Sequence, residues 1–282
     1  MNKKHPKALP YLFLSEMWER FGFYLMLGIF FLYMTDTQRG GMAMDRKEAS
    51  DIFGTFIALV YLTPFVGGLI ADRVLGYRVS ITLGGILMGI GYCGLAIPGM
   101  TAFYVSLLLI IIGNGFFKPN ISTILGNVYN DPEYKPLKDS GYNIFYMGIN
   151  IGAFICNFFG SYLRNNFSWG AAFAAAGIGM FVGVIIFWIG NKHYAHADVR
   201  KPVKPEDMPV SKILGITLLP ALIAGYIGWI IPDNIFGSDS TDAFILGALP
   251  VAGYYVNILL RSDKEDRRPL AALLAVFTVA IV

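Results

Sequence analysis

The sequence predicts an all-α protein with several membrane-spanning helices, and three observations support this prediction. Of its 282 residues 55 % are hydrophobic and 15 % are charged, with a mean hydropathy of +0.56, whereas globular domains carry about 25 % charged residues. Second, long apolar runs follow one another, each close to the roughly 20 residues that a helix needs to cross a bilayer. Third, Lys and Arg cluster between alternate runs.

Six apolar runs come first, at residues 10–34, 50–71, 78–98, 102–127, 140–163 and 168–190. A polar segment follows, then two runs at 212–231 and 241–260, and a last run that begins at Pro269. That last run is shorter than a bilayer requires, so we expect a truncated seventh span of a longer protein. The predicted parts are a six-helix bundle over 1–190, a cytoplasmic linker over 191–211, an inserted two-helix hairpin over 212–260 and the start of a second bundle over 261–282.

The distribution of basic residues predicts the orientation. With the N-terminus in the cytoplasm, sixteen of the 22 Lys and Arg residues fall on the cytoplasmic side and four on the other. An excess of basic residues marks cytoplasmic segments. We therefore expect a multi-pass protein of the cell (inner) membrane with a cytoplasmic N-terminus, and a hairpin that enters and leaves on that same side.

Four charged residues lie well within the apolar runs, away from the run ends, and their charges sum to zero: Glu16, Glu19, Arg20 and Lys118. Charges at such depth are costly and normally face a water-filled pathway. At 100° per residue, the first three share one face of the first helix with Tyr24. This pattern predicts a transport pathway.

Lys118 lies on the cytoplasmic side of the middle of its run, as Glu16 does in its own, so a pairing between Lys118 and a glutamate is geometrically reasonable. Protonation of the carboxylate would break such a pair, which is one way for a proton gradient to drive a conformational change. The alternative is a static salt-bridge cluster that holds the first and fourth helices together.

Further candidates are less specific. Tyr61, in the middle of the second run, is a weak binding candidate. Asn150 belongs to a polar stripe at helical spacing and can bond a substrate amide or only a neighbouring helix. Asp72 and Arg73 lie in the short glycine-rich turn at 67–78, which we interpret as a gating or structural element.

Other function classes are poorly supported. The three histidines all fall in predicted cytoplasmic segments, and the spans contain no metal-ligand cluster and no nucleophile–base pair, so we expect neither an enzyme nor a metal site. Cys93 and Cys156 lie in apolar runs and are predicted to be inert packing residues. We expect no cofactor other than protons as a coupling ion, and no nucleic-acid partner.

Four motifs, in order over residues 16–152, resemble the signatures of the proton-dependent oligopeptide transporters of the major facilitator superfamily. They are Glu16-Met17-Trp18-Glu19-Arg20-Phe21 with Tyr24, the turn at 67–78, the fourth-run motif at 115–122 and the fifth-run motif at 145–152. The hairpin at 212–260 is similar to the two extra helices that bacterial members insert between their six-helix halves.

The resemblance implies a proton-coupled symporter that imports di- and tripeptides by alternating access, as a monomer in the lipid bilayer. The roles it implies are a proton-linked network of Glu16, Glu19, Arg20 and Lys118, attraction of the peptide carboxylate by Arg20 and Lys118, and a site lined by Tyr24, Tyr61 and Asn150. The acidic residues that complete the site in the family would lie beyond Val282.

This sequence departs from many bacterial members at one position of the first helix. Leu27 stands where they often have a second arginine, on the same face as Glu16, and this changes how a peptide carboxylate would be held. A family member that carries another solute, such as nitrate or a drug-like anion, is therefore the alternative reading.

Overall fold

A computed structural model describes residues 4–200, 208–232, 235–263 and 267–272, and in these ranges the regular secondary structure is helical throughout. The chain divides into two compact units, Met1–Pro205 and Glu206–Val282. The all-α prediction is confirmed.

The described part of the first unit contains six long helices: α1 (Ala8–Thr35), α2 (Arg46–Ile70), α3 (Tyr77–Gly94), α4 (Met100–Val128), α5 (Lys138–Asn166) and α6 (Trp169–Gly190). A five-residue π-helical segment, Ala71–Leu75, continues α2, and short 3₁₀ turns precede α5 and follow α6. Each of the six predicted runs lies in one of these helices, apart from a few residues at the ends.

The described part of the second unit is a hairpin of two helices, α7 (Val210–Ile230) and α8 (Asp239–Arg261). They approach closely at Gly228, where an added Cβ would lie 2.5 Å from the Asp242 carbonyl oxygen. Residues 267–272 are helical, and the rest of the run predicted from Pro269 lies outside the described residues. The predicted boundaries between the four parts of the chain stay a prediction.

Six of the described helices are long and apolar enough to cross a membrane, namely α2 with its π-helical segment, α4, α5, α6, α7 and α8. The helix α1 is not in this set, although its 28 residues give it a length of about 42 Å at 1.5 Å per residue. It carries three charged residues in its first half, which lower its hydropathy.

The helix α1 lies inside the first unit and contacts all five of the other long helices, with its largest contacts to α5 and α6. Its buried side chains include Leu12, Met26 and Phe30, which are fully enclosed. A polar face on such a helix is therefore buried, because neighbouring helices cover α1 on most sides.

The helices α1 and α5 run parallel. An added Cβ on Gly148 would meet Phe13, and one on Gly152 would lie 2.3 Å from the Met17 carbonyl oxygen. Contacts thus advance in the same direction along both helices, and Asn150 lies at about the level of Glu16. Glycine at 152 is required because any side chain would collide with the α1 backbone.

Glycines also allow α2 and α4 to touch. A Cβ on Gly67 would lie 2.0 Å from the Gly115 carbonyl oxygen. Two polar side chains join the helices nearby: Asn114 donates to the Val60 carbonyl at 2.9 Å, and Thr63 donates to the Ile111 carbonyl at 3.0 Å. This contact fixes the position of Lys118, one turn beyond Asn114.

Residues 191–200, which we predicted as linker, belong to the first unit and contact its helices. The Asp198 carboxylate accepts hydrogen bonds from the backbone N–H of Tyr77 at 2.7 Å and from Arg78 Nε at 2.9 Å. Asn127 on α4 donates to the Ala197 carbonyl at 3.0 Å. The chain after α6 is therefore bonded to the first residues of α3 and the last turn of α4.

Candidate functional site

The buried charges of α1 form one cluster. Glu16, Glu19 and Arg20 are 3 %, 0 % and 3 % exposed. Arg20 donates hydrogen bonds through Nε and Nη2 to the two carboxylate oxygens of Glu19, and its Nε lies 3.4 Å from Oε1 of Glu16. Helical spacing predicted the shared face, and the structure brings all three side chains together.

Two carboxylates share one guanidinium in this cluster. In the described part of the chain, Oε2 of Glu16 is buried and has no hydrogen-bond partner. A buried charged oxygen without a partner is costly. The cluster therefore carries one more negative charge than Arg20 neutralises, so a proton or a second cation would stabilise it.

Lys118 is the nearby cation from α4. Its side chain is half-buried, and Nζ lies 5.1 Å from the centre of the Tyr61 ring, a cation–π contact. The ammonium interacts electrostatically with Glu16, Glu19 and Arg20, but no ion pair of Lys118 is seen among the described residues. The predicted pairing with a glutamate stays a prediction.

Aromatic rings cover the guanidinium of Arg20. Its Cζ lies 5.0 Å from the Phe23 ring centre and 5.8 Å from the Tyr24 ring centre. Tyr24 and Leu27 are half-buried on the same side of α1. Tyr24 thus belongs to the cluster as expected, whereas sequence reasoning did not single out Phe23.

Tyr61 and Asn150 lie on open faces of the first unit. Tyr61 is 66 % exposed on α2, and Asn150 is exposed on α5, where its Nδ2 donates to the Tyr146 carbonyl at 3.1 Å. Among the described residues Asn150 makes no hydrogen bond to another helix. The choice between its two predicted uses stays a prediction.

Asp72 and Arg73 lie in the π-helical segment that ends α2. The Tyr77 hydroxyl donates to Asp72 Oδ1 at 2.7 Å. Between them Gly76 has φ +82°, a conformation that favours glycine, and this turn reverses the chain into α3. The structure positions the turn firmly, and its role in gating stays a prediction.

A further residue near the cluster was also not predicted from the sequence. Tyr92 on α3 is fully buried, and its hydroxyl has no partner among the described residues. It interacts electrostatically with Glu19 and Arg20. A phenol in the middle of a glycine-rich apolar run was the available signal, but most such rings only fill the core.

Metal ligation has no candidate in the part of the chain that the structure describes, since no three His, Cys, Asp or Glu side chains are grouped there. The chemistry available to the cluster is thus proton exchange at the carboxylates and anion binding at the two cations.

Comparison with known proteins supplies the wider context. The chain is 34 % identical over 288 residues to the di-/tripeptide transporter of Lactococcus lactis subsp. cremoris, with 98 % of this chain and 58 % of that protein covered. It spans little more than half the length of that relative.

Solved structures match it at a similar level. A crystal structure of a peptide transporter POT in complex with sulfate has a TM-score of 0.75 at 33 % identity, over 96 % of this chain and 56 % of the other. A POT family transporter in complex with a thioalcohol-conjugated peptide has a TM-score of 0.75 at 29 % identity, over 97 % and 57 %.

These matches and the six membrane-length helices identify a multi-pass membrane protein with the fold of the major facilitator superfamily. The family model described as the POT family matches residues 78–282. The chain therefore belongs to the POT family.

Proposed function

We propose that the protein is a proton-coupled symporter that imports di- and tripeptides by alternating access, with this chain forming one wall of the site. The observation that carries the proposal is the buried cluster in which Glu16 and Glu19 share the guanidinium of Arg20. A relative that matches 98 % of the chain is named a di-/tripeptide transporter, which supports the substrate class.

Proton uptake is the first step of the proposed mechanism. A proton from the outer solution adds to an oxygen of Glu19 and neutralises its carboxylate. The two hydrogen bonds from Arg20 then lose their negatively charged acceptor, so the attraction between two opposite charges no longer strengthens them. Arg20 is thereby released from the partner that holds it within α1.

Substrate binding is the second step. A released guanidinium can bind the carboxylate of a peptide through two parallel hydrogen bonds, and Lys118 adds a second positive charge nearby. Tyr24 and Tyr61 offer ring faces beside these cations, and Asn150 offers amide hydrogen bonds to the peptide backbone. The peptide carboxylate thus takes the place that Glu19 gives up.

Alternating access requires the cytoplasmic ends of the helices to open and close. We assign a gating role to Asp72 and Arg73, because they lie where α2 turns into α3, in a segment held by side-chain hydrogen bonds. We further propose an inner-membrane location with a cytoplasmic N-terminus, supported by the distribution of Lys and Arg. The protein would act as a monomer surrounded by lipid.

A second candidate function is transport of another anion, such as nitrate or a drug-like anion. The observation that favours it is Leu27, which is half-buried on the Arg20 side of α1 and supplies no cation. With fewer positive charges to hold a peptide carboxylate, a smaller anion, or one that needs fewer cationic contacts, becomes a competing substrate.

Uptake of a labelled dipeptide by the complete gene product in proteoliposomes tests the proposal. An inward proton gradient should stimulate uptake in the parent protein and not in Glu19→Gln. The matched control is Glu48→Gln, since Glu48 is exposed in the first turn of α2 and its replacement should leave gradient-driven uptake unchanged.

The proposal fails if parent uptake ignores the gradient, or if Glu19→Gln responds to it as the parent does. Competition separates the two candidate substrates. Excess unlabelled dipeptide, but not nitrate, should abolish uptake of the labelled dipeptide, whereas gradient-driven uptake of nitrate without uptake of dipeptide would favour the anion transporter.

A further inference from the structure

Tyr92 reaches the charge cluster from a second helix. A Cβ placed on Gly22 would lie 3.3 Å from Cε2 of the Tyr92 ring, and Gly22 is one helical turn beyond Glu19. The ring is fully buried, and no described group bonds its hydroxyl. The interior of the bundle therefore contains a phenol within electrostatic range of the carboxylate that we propose to be protonated.

A buried hydroxyl without a partner costs free energy, so its presence there needs an explanation. In this conformation both oxygens of Glu19 accept from Arg20, and the carboxylate has no hydrogen to donate. Protonation of Glu19 changes the number of hydrogen-bond donors, because a carboxylic acid carries an O–H donor that must be paired.

The cations of the cluster cannot pair with that donor. Arg20 and Lys118 carry only donors and have no acceptor. The Tyr92 oxygen is an acceptor without a partner, and it lies within electrostatic range of Glu19. Glu16 is the other acceptor of the cluster, but as a carboxylate it would compete for the proton.

We propose that Tyr92 is a positioning residue for proton coupling, whose hydroxyl oxygen accepts a hydrogen bond from the protonated carboxyl group of Glu19. The proton stays on Glu19, and no bond to Tyr92 forms or breaks apart from this hydrogen bond. When Glu19 is protonated, its hydrogen-bond partner thus changes from Arg20 to Tyr92. The bond to Tyr92 holds the proton inside the bundle while Arg20 binds substrate.

Few other ionisable groups face Tyr92. Glu19 and Arg20 of α1 act electrostatically on Tyr92. These two residues also interact electrostatically with Glu16 and with Lys118 of α4. The helix α6, which packs against both α1 and α3, carries no ionisable side chain over Trp169–Gly190. A change in pH dependence on loss of the Tyr92 hydroxyl is therefore attributable to this cluster.

The test is Tyr92→Phe in the complete gene product, assayed in proteoliposomes for gradient-driven dipeptide uptake as a function of external pH. We expect the midpoint of uptake to move to lower pH by about half to one unit, because losing an ordinary hydrogen bond changes the balance of protonation states by about three- to tenfold. Dipeptide exchange at equal pH on both sides requires no net proton movement, and at a pH well below the midpoint, where Glu19 is protonated in both proteins, it should stay within about twofold of the parent.

Tyr33→Phe is the matched control. Tyr33 is a buried tyrosine at the far end of α1, packed on Phe173 with ring centres 5.0 Å apart. It should leave the pH profile unchanged. The thermal midpoint of Tyr92→Phe at neutral pH should not fall, because the hydroxyl has no partner there.

The inference rests on the proposed function, and the two fail differently. A parent protein that ignores the gradient overturns the proposed function. A parent that responds, with a Tyr92→Phe variant of identical pH profile, overturns only the role of Tyr92. A lower thermal midpoint, or exchange reduced as much as driven uptake, would show a purely structural role and overturn it too.

Discussion

Arg20 binds both carboxylate oxygens of Glu19, its immediate neighbour in the sequence, while Glu16 one turn earlier is held by a single 3.4 Å contact. On an isolated helix the opposite preference holds, because side chains four residues apart face each other and adjacent ones do not. Burial explains why Arg20 prefers Glu19 to Glu16 in this protein. With water excluded, the side chains bend to form the bidentate pair, which is the stronger interaction.

This asymmetry predicts different stabilities for two conservative variants. Glu19→Gln places an amide N–H₂ against the donors of Arg20 and should lower the free energy of unfolding by about 3 kcal/mol, the lower end of the cost of uncovering a buried charge. Glu16→Gln removes a charge that has one unpartnered oxygen, and should change it by less than about 1 kcal/mol. Thermal unfolding of the detergent-solubilised protein measures both.

Glu48→Gln, on the exposed first turn of α2, is the control for loss of a carboxylate as such. If Glu16→Gln and Glu19→Gln lowered the thermal midpoint equally, the bidentate pair would not be the stabilising contact of the cluster.

A second prediction concerns Leu27, which lies seven residues after Arg20 and half-buried on the same side of α1. Leu27→Arg adds a cation about 10 Å further along the helix. Under the proposed function it should lower the KM for dipeptide by about three- to tenfold, the value of one partly shielded charge-assisted hydrogen bond. Leu27→Met keeps the volume without the charge and should leave KM unchanged. An unchanged KM in Leu27→Arg would place position 27 outside the binding surface.

How much of this site could be predicted from the sequence depends on the range of each interaction. The shared face of Glu16, Glu19 and Arg20 follows from the helical period alone, so it was predictable. The choice of Glu19 as the bidentate partner was not, because it depends on the exclusion of water by neighbouring helices. The pairing of Lys118 with a glutamate stays a prediction, and its contact with the Tyr61 ring depends on how α2 and α4 approach.

Two contributions from distant segments had no usable signal. The sequence does not distinguish Tyr92 from other buried aromatic residues, and only the packing of the helices shows that its ring lies beside Gly22. Asp198 belonged by composition to a polar linker, and only the fold brings it to the start of α3, 120 residues away from Arg78. Long-range pairing of this kind is set by topology, which periodicity cannot show.

A third prediction separates the two kinds of bond that Asp198 makes, those to backbone N–H groups through Oδ1 and that to the Arg78 side chain through Oδ2. Its Oδ1 accepts from the Tyr77 N–H at 2.7 Å, and its Oδ2 pairs with Arg78 Nε at 2.9 Å. Asp198→Asn keeps the first bond and should cost under about 1 kcal/mol, because the ion pair is partly exposed. Asp198→Ala loses both and should cost about 1–2 kcal/mol, as loss of a helix cap does.

Hydrogen exchange measures this directly, since the amides of residues 77–80 should exchange faster in Asp198→Ala than in Asp198→Asn. Glu133→Ala, at an exposed turn, is the control. Equal exchange in the two Asp198 variants would mean that the ion pair, and not the cap, holds this segment.

The fourth prediction concerns Asp36, just beyond the end of α1. One carboxylate oxygen accepts from the Trp169 indole N–H at 3.0 Å and from the backbone N–H of Arg39 at 2.9 Å, and further backbone bonds come from the same turn. Burial tends to raise the pKa of Asp36, but these hydrogen bonds hold the pKa below its usual value. These hydrogen bonds favour the ionised form of Asp36, so the ionised carboxylate stabilises the contact between the end of α1 and the start of α6.

The pH dependence follows from that direction. Because the pKa is lower in the folded protein, the stabilisation is complete above the unfolded value of about 4 and is lost as the pH falls through the lower folded value. Asp36→Asn should lower the free energy of unfolding by about 1 kcal/mol at pH 6, after allowing for screening by water. Thermal midpoints of parent and variant should converge below about pH 4, while Glu133→Gln follows the parent throughout. A gap between parent and Asp36→Asn that stayed constant down to pH 3 would show that the stabilisation does not come from ionisation of Asp36.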